Sequence, residues 1–199
     1  MEFVSQKEEE FYGMYHPYLK LARRRVLDTL DIICEEEGHE IQHIYGRIKS
    51  PDSMCKKLDK LGVPQTPEMA LTQVTDAVGI RVICNFLDDV FSIVNLITKH
   101  DGWKVVQEKD YITVPKQNGY RSYHMILEVP VRGRHIMVEI QIRTISQDAW
   151  ASLEHQMKYK KEVPHQKLIQ DELKRCADEL ASTDMSMATI RELLETGAV

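Results

Sequence analysis

Apolar residues recur at roughly helical spacing through residues 8–36, where Leu19, Leu21, Val26, Leu27, Leu30 and Ile33 predict one or two helices, interrupted near Pro17 and ended by Gly38. Ser50-Pro51 opens a short helix that stops at Gly62, with serine as N-cap, proline in the first helical position and glycine as the stop. Thr66-Pro67-Glu68 opens another by the same logic. The period then changes. Residues 78–86 are a compact apolar run of strand length, and residues 87–100 carry Val90, Phe91, Val94 and Ile97 on one helical face. Residues 104–114, 122–129 and 135–143 alternate or run apolar as strands, and Arg132-Gly133 between the last two reads as a hairpin turn. From 145 to 160 the helical period returns, with Trp150, Leu153 and Met157 on one face, and Pro164 breaks it. Leu168, Leu173, Leu180, Met187, Ile190 and Leu194 mark one or two closing helices.

Helices, then strand–helix–strand–strand–strand, then helices predict an α+β fold. A mixed β-sheet core flanked by helices is expected in one domain over 1–199, with 15–165 as the catalytic core and 166–199 as C-terminal helices. The wide apolar faces of the terminal helices either pack on the sheet or pair subunits. The chain has 199 residues, 43% apolar and 29% charged, the make-up of a globular protein with a substantial core. Its net charge of −5 steers it to neither nucleic acid nor membrane, so a bound anion must be held by a local cluster of Lys and Arg. The four cysteines fit no zinc spacing, and Cys34 and Cys84 sit in apolar runs as core residues. A reducing, cytoplasmic compartment is expected. The N-terminal stretch MEFVSQKEEE lacks the apolar segment of a signal peptide, and no run approaches a membrane span.

Four segments hold candidate chemistry. In Gly46-Arg47-Ile48-Lys49-Ser50 and the helix after it, Lys49, Ser53 and Lys57 cluster at a helix start whose free N–H groups suit a polyphosphate; a solvated lysine-rich helix is the plainer reading. Asp76 enters a buried strand that also carries Arg81, as a metal ligand, a structural partner of Arg81 or a turn cap. Alternation in 138–143 puts Glu139, Gln141 and Arg143 on one face, which lines a cleft or faces water. In 115–124, an Asn-Gly turn lies within a dense set of Lys116, Tyr120, Arg121, Tyr123 and His124, which suits a stacked nucleobase with phosphates nearby, or a plain hairpin. His100-Asp101 lacks the further ligands of a metal hydrolase, and His39 with His43 lacks a third zinc ligand.

The strings GRIKSPDSMCKK (46–57), DAVGIRVIC (76–84), DYITVPKQNGYRSYH (110–124), VEIQIRT (138–144) and DAWASLEH (148–155) occur in one order. Together they resemble the synthetase domain of the RelA/SpoT family, in the short form called small alarmone synthetases, over about residues 15–165. The resemblance implies a nucleotidyltransferase-like fold and transfer of pyrophosphate from ATP to the 3′-hydroxyl of GDP or GTP, with Mg2+ as cofactor. It implies that Arg47 and Arg81 sandwich adenine and that Lys49, Ser53 and Lys57 hold the ATP phosphates. Asp76 and Glu139 match the acidic pair, Asp76 as metal ligand and Glu139 as metal ligand, general base or both. Tyr120 matches the residue that stacks on guanine, with Lys116, Arg121 and His124 near the acceptor phosphates and Gln141 beside Glu139. Asp148 stands where some relatives carry Asn, and its carboxylate could accept from guanine N1–H and the exocyclic amine. The segment 41–45 lacks the aromatic-and-hydroxyl pattern through which some tetrameric members bind an alarmone. The closing helices resemble those that assemble tetramers, so a homo-oligomer is expected, with no membrane partner and nucleic acid unfavoured. The rivals are a same-fold enzyme acting on tRNA 3′ ends or adenine nucleotides, a catalytically silent alarmone-binding module, and a structural oligomerisation domain. The acidic pair argues against a silent module, because a pure sensor needs neither carboxylate.

Overall fold

The computed structural model describes residues 6–158 and 165–197. A short helix α1 (Gln6–Tyr12) passes through a 3₁₀ turn (Gly13–Tyr15) into α2 (His16–Glu36), with Pro17 in the first turn of α2. The chain continues through β1 (Ile41–Ile48), α3 (Pro51–Leu61), α4 (Pro67–Gln73), β2 (Val78–Cys84) and α5 (Leu87–Lys99). Then come β3 (Lys104–Asp110), β4 (Tyr123–Val131), β5 (Arg134–Thr144), α6 (Ile145–Lys158) and α7 (Gln166–Thr196).

The five strands form one sheet in the order β1-β2-β5-β4-β3, parallel between β2 and β5 and antiparallel elsewhere. The register separates the two faces. Ile80 of β2 lies beside Ile140 of β5, which lies beside Met125 of β4, and all three are buried. One residue further along β2, Arg81 lies beside Tyr45, Gln141 beside Arg81, and His124 beside Gln141. The strand period of two therefore makes one apolar and one polar face. α2 packs across the apolar face with Leu19, Ala22, Val26, Leu30 and Cys34 buried, and α5 adds Val90, Ile93, Val94 and Ile97. Gly46 marks the closest approach of α2: a Cβ there would stand 2.5 Å from Ile80 Cδ1 and 2.9 Å from Arg23 Cγ. With α2 and α5 on the other side, the polar face keeps an open cleft.

The mixed sheet and its flanking helices match the expected α+β architecture. The differences are local. β1 was not expected as a strand; Gln42, His43 and Arg47 break its apolar pattern because it is an edge strand with one face toward the cleft. β3 ends at Asp110 rather than 114, where the Asp110 carboxylate accepts from the backbone N–H groups of Ile112 and Thr113 and turns the chain. The closing segment is one helix of 31 residues. In α6, Trp150 is buried but Leu153 and Met157 are exposed, and on α5 Phe91 is exposed beside buried Val90. The expected extension of α6 to Lys160 and the break at Pro164 lie outside the described residues.

Candidate active site

A cleft with a cavity of about 70 Å³ opens on the polar face, lined by Tyr45, Arg47, Lys49, Asp76, Gly79, Ile80, Arg81, Glu139 and Gln141. Gly79 lies between Arg47 and Glu139 in the register, and a Cβ there would meet nothing within 4 Å, so the floor is clear at that point. Lys49 leaves β1 as Asp76 approaches β2, and the Lys49 N–H donates to the Ala77 carbonyl at 2.9 Å. The Lys49 ammonium donates to Asp76 Oδ2 at 2.9 Å, and Lys57, one turn into α3 from Ser53, places its ammonium 3.0 Å from Oδ1. That Oδ1 is buried and accepts no hydrogen bond of good geometry. Asp76 is thus partnered by two lysines and not by Arg81. Ser50 takes the N-cap position, but its hydroxyl donates to Ser53 Oγ at 2.9 Å instead of capping a backbone N–H. Both serines are exposed.

Arg81 stacks over the Tyr45 ring, 5.4 Å to the centroid, and donates to Asp148 Oδ1 at 3.0 Å. Asp148 lies in the first turn of α6 and accepts a second bond at the same oxygen from Arg143, also at 3.0 Å. It is therefore first a shared counter-ion for two arginines, which the sequence alone did not reveal. Glu139, one strand over from Gly79, accepts from Gln141 Nε2 at 3.0 Å, and His124 Nδ1 lies 3.3 Å from its other oxygen. Burial works against its ionisation, but the bonds from His124 and Gln141, with the Lys57 charge beyond, hold its carboxyl below the ordinary range.

Residues 111–122 form a loop between β3 and β4, turned at 116–119 by a bond from Gly119 N–H to the Lys116 carbonyl. The expected Asn-Gly turn is present, inside a longer loop. Gly119 has φ +89 and faces α7 so closely that a Cβ would stand 2.7 Å from Ala177 Cβ. The Tyr120 hydroxyl meets His124 Nε2 at 2.8 Å, and the Lys116 ammonium lies over both the Tyr111 and Tyr120 rings, 4.3 and 4.9 Å to their centroids. Arg121 does not join this group. Its guanidinium donates to the Ala177 carbonyl and to Asp178 at 2.9 Å, tying the loop to α7. It was expected near the acceptor phosphates; here its guanidinium is held against α7 instead, two residues after the tight turn at Gly119.

The described residues hold no group of three or more His, Cys, Asp or Glu placed to bind a metal ion. Asp76 and Glu139 nevertheless face one cleft, and Asp76 keeps a buried oxygen without a hydrogen bond. Mg2+ typically takes one or two carboxylates and completes its octahedron with water and substrate phosphates, so this pair fits it once a nucleotide is present.

A family model for a region found in RelA and SpoT proteins matches residues 46–163, more than half of the chain. The chain belongs to the RelA/SpoT family. It is 40% identical over 185 residues to GTP pyrophosphokinase YwaC of Bacillus subtilis (strain 168), covering 86% of this chain and 88% of that one. It is 30% identical over 161 residues to GTP pyrophosphokinase YjbM of the same organism, covering 79% and 75%. Its fold is similar to the crystal structure of B. subtilis small alarmone synthetase 1 bound to its product pppGpp, with TM-score 0.79 and 28% identity over 96% of this chain and 100% of that one. Small alarmone synthetase 2 of B. subtilis gives TM-score 0.78 and 38% identity over 87% and 95%.

In this RelA/SpoT-family site, two participants were not singled out as site residues from the sequence. Tyr45 lies on the unexpected strand β1. Arg143 was placed on the polar face of β5 without a role, yet only 4% of it is exposed and its guanidinium reaches four side chains. A strictly alternating strand carrying an arginine as its third polar residue was the available signal.

Proposed function

We propose that this chain is a GTP pyrophosphokinase that transfers the β,γ-pyrophosphate of ATP to the 3′-hydroxyl of GDP or GTP. The oxygen of that hydroxyl forms a bond to the β-phosphorus as the bond from that phosphorus to the α,β-bridging oxygen breaks, and AMP leaves. The observation that carries the reading is Glu139, an ionised carboxylate between a cationic flank (Lys49, Lys57, Arg47, Arg81) and an aromatic, polar flank (Gln141, His124, Tyr120). The first flank suits a polyphosphate with its adenine, Arg47 and Arg81 holding the base while Lys49, Ser53 and Lys57 hold phosphates. The second suits a guanine on the Tyr120 ring, with His124 and Lys116 toward the acceptor phosphates once Lys116 leaves the ring. Glu139 takes the hydroxyl proton. Asp76 and Glu139 would hold Mg2+, whose charge offsets that of the phosphates.

A second reading concerns assembly. Leu168, Met185, Met187, Ile190 and Leu194 are exposed on α7, and Leu153 and Met157 on α6. We infer that this surface pairs copies of the chain, with a tetramer favoured because the closing helices resemble those that assemble tetramers, and light scattering with size exclusion tests it; a monomer at working concentration refutes it. No helix among the described residues is long and apolar enough to cross a membrane.

The deciding experiment incubates the protein with ATP, magnesium and, in turn, GDP, GTP, ADP and tRNA, then separates the nucleotides. AMP with ppGpp or pppGpp is the expected result. No product with either guanine nucleotide, or product with tRNA or ADP alone, overturns the reading.

A further inference from the structure

Five side chains close a ring on the polar face. Arg143 Nη2 donates to Gln141 Oε1 at 2.9 Å, and Gln141 Nε2 donates to Glu139 Oε2 at 3.0 Å. Glu139 Oε1 lies 3.3 Å from His124 Nδ1, His124 Nε2 lies 2.8 Å from the Tyr120 hydroxyl, and that hydroxyl accepts from Arg143 Nη2 at 2.5 Å. Arg143 itself is fixed by Nε to Ser122 Oγ at 3.2 Å and by Nη1 to Asp148 at 3.0 Å.

The donors give the ring a direction. A guanidinium only donates, so the Tyr120 oxygen accepts from Arg143, and the same hydroxyl is held against His124 Nε2. The other ring nitrogen of His124 faces Glu139. Gln141 is oriented likewise: with its oxygen toward Arg143, its amide donates to the other oxygen of Glu139. Two donors then hold the plane of the carboxylate, and two of its four acceptor positions remain open.

We propose that Arg143 is a positioning residue that, through the Tyr120 hydroxyl and Gln141, fixes the orientation of the His124 ring and holds the Glu139 carboxylate in place. The inference rests on the reading of Glu139 as the acceptor's base. It gives Tyr120 two separable parts: a ring for the acceptor base and a hydroxyl for the ring of bonds. The acceptor loop and the base are thereby built as one unit.

The test compares the full-length wild-type chain with Tyr120→Phe, Tyr120→Ala, Arg143→Lys and Arg143→Gln. Steady-state kinetics with ATP, magnesium and GDP give KM and kcat. Tyr120→Phe should keep the KM for GDP within about twofold while kcat falls at least about tenfold, because the stack is retained and the base is misplaced. Tyr120→Ala should raise that KM as well. Arg143→Lys should fail to rescue, because an ammonium lacks the guanidinium fork. Overturning results are an unchanged kcat in Tyr120→Phe or a wild-type kcat in Arg143→Lys. Should Arg143→Gln not fold, Tyr120→Phe still decides. Wild type is assayed beside the variants: no transfer by wild type sinks the reading of Glu139, whereas wild-type transfer with an unimpaired Tyr120→Phe sinks the positioning role alone.

Discussion

Glu139→Gln keeps the shape of the side chain and removes its charge, and both existing partners donate to it. Gln141 brings an amide N–H to one oxygen and His124 faces the other. A glutamine offers one oxygen and one NH2, so one partner must meet a donor with a donor. Gln141 cannot simply flip, because its own oxygen is held by Arg143 at 2.9 Å. One charge-assisted bond is lost and a buried donor is left unpaired, a cost of about 1–3 kcal/mol in stability. Loss of the base should lower kcat by about 10²–10⁴. Lys49, Lys57, Arg47 and Arg81 are untouched, so ATP should bind nearly as before. The assay is AMP release with ATP, magnesium and GDP, beside thermal unfolding with and without ATP. A folded Glu139→Gln protein that keeps more than about a tenth of wild-type turnover refutes the role of Glu139 as base.

Asp76→Asn should raise the magnesium concentration needed for half-maximal activity; an unchanged curve would reduce Asp76 to a tether for Lys49 and Lys57. Asp148→Ala should weaken ATP as well as the acceptor, because it releases both Arg81 and Arg143, and each charged hydrogen bond is worth about 1.5–3 kcal/mol, or roughly 10- to 150-fold. Loss confined to guanine over adenine discrimination, with the KM for ATP unmoved, would return Asp148 to a base-reading role. The Glu139 carboxyl is held below its ordinary range by His124 and Gln141 against the opposing effect of burial. Its contribution to stability is therefore complete above the unfolded-state pKa and is lost as pH falls through the lower folded-state pKa. The gap in Tm between wild type and Glu139→Gln should narrow on acidification through that window, and a constant gap contradicts it.

What the sequence made legible was whatever local pattern dictates. The run 78–86 and the alternation in 138–143 fixed two neighbouring strands, and the alternation put Glu139 and Gln141 on one face; that Arg81 shares it follows only from the register. β1 was illegible because an edge strand bordering a cleft is polar where it meets the cleft and has Gly46 where α2 presses against it. Partnerships were illegible for another reason: they depend on the packing of distant elements. Arg121 and Asp178 are 57 positions apart, and Arg81 and Asp148 are 67 apart. The motif strings placed these residues near nucleotides, but a string does not say which way a side chain turns.

Asp148 shows how the two halves of the cleft are joined. Arg81 and Arg143 project from the neighbouring parallel strands β2 and β5, two positions apart in register, since Gln141 lies beside Arg81. Two guanidiniums so close repel unless an anion lies between them, and burial of Arg143 sharpens that cost. The chain solves this locally. β5 ends at Thr144 and α6 begins at the next residue, which brings an acidic side chain in the first helical turn back to the strand ends, where the helix dipole also favours it. Thr144 is pinned in turn by its hydroxyl to buried Asp184 of α7 at 2.6 Å, so the start of α6 is held from both sides. The counter-ion of Arg81, proposed to hold the ATP base, is therefore also the counter-ion of Arg143, which bonds Tyr120 and Gln141. The two flanks of the cleft share one carboxylate, and a change in either arginine must be felt across it.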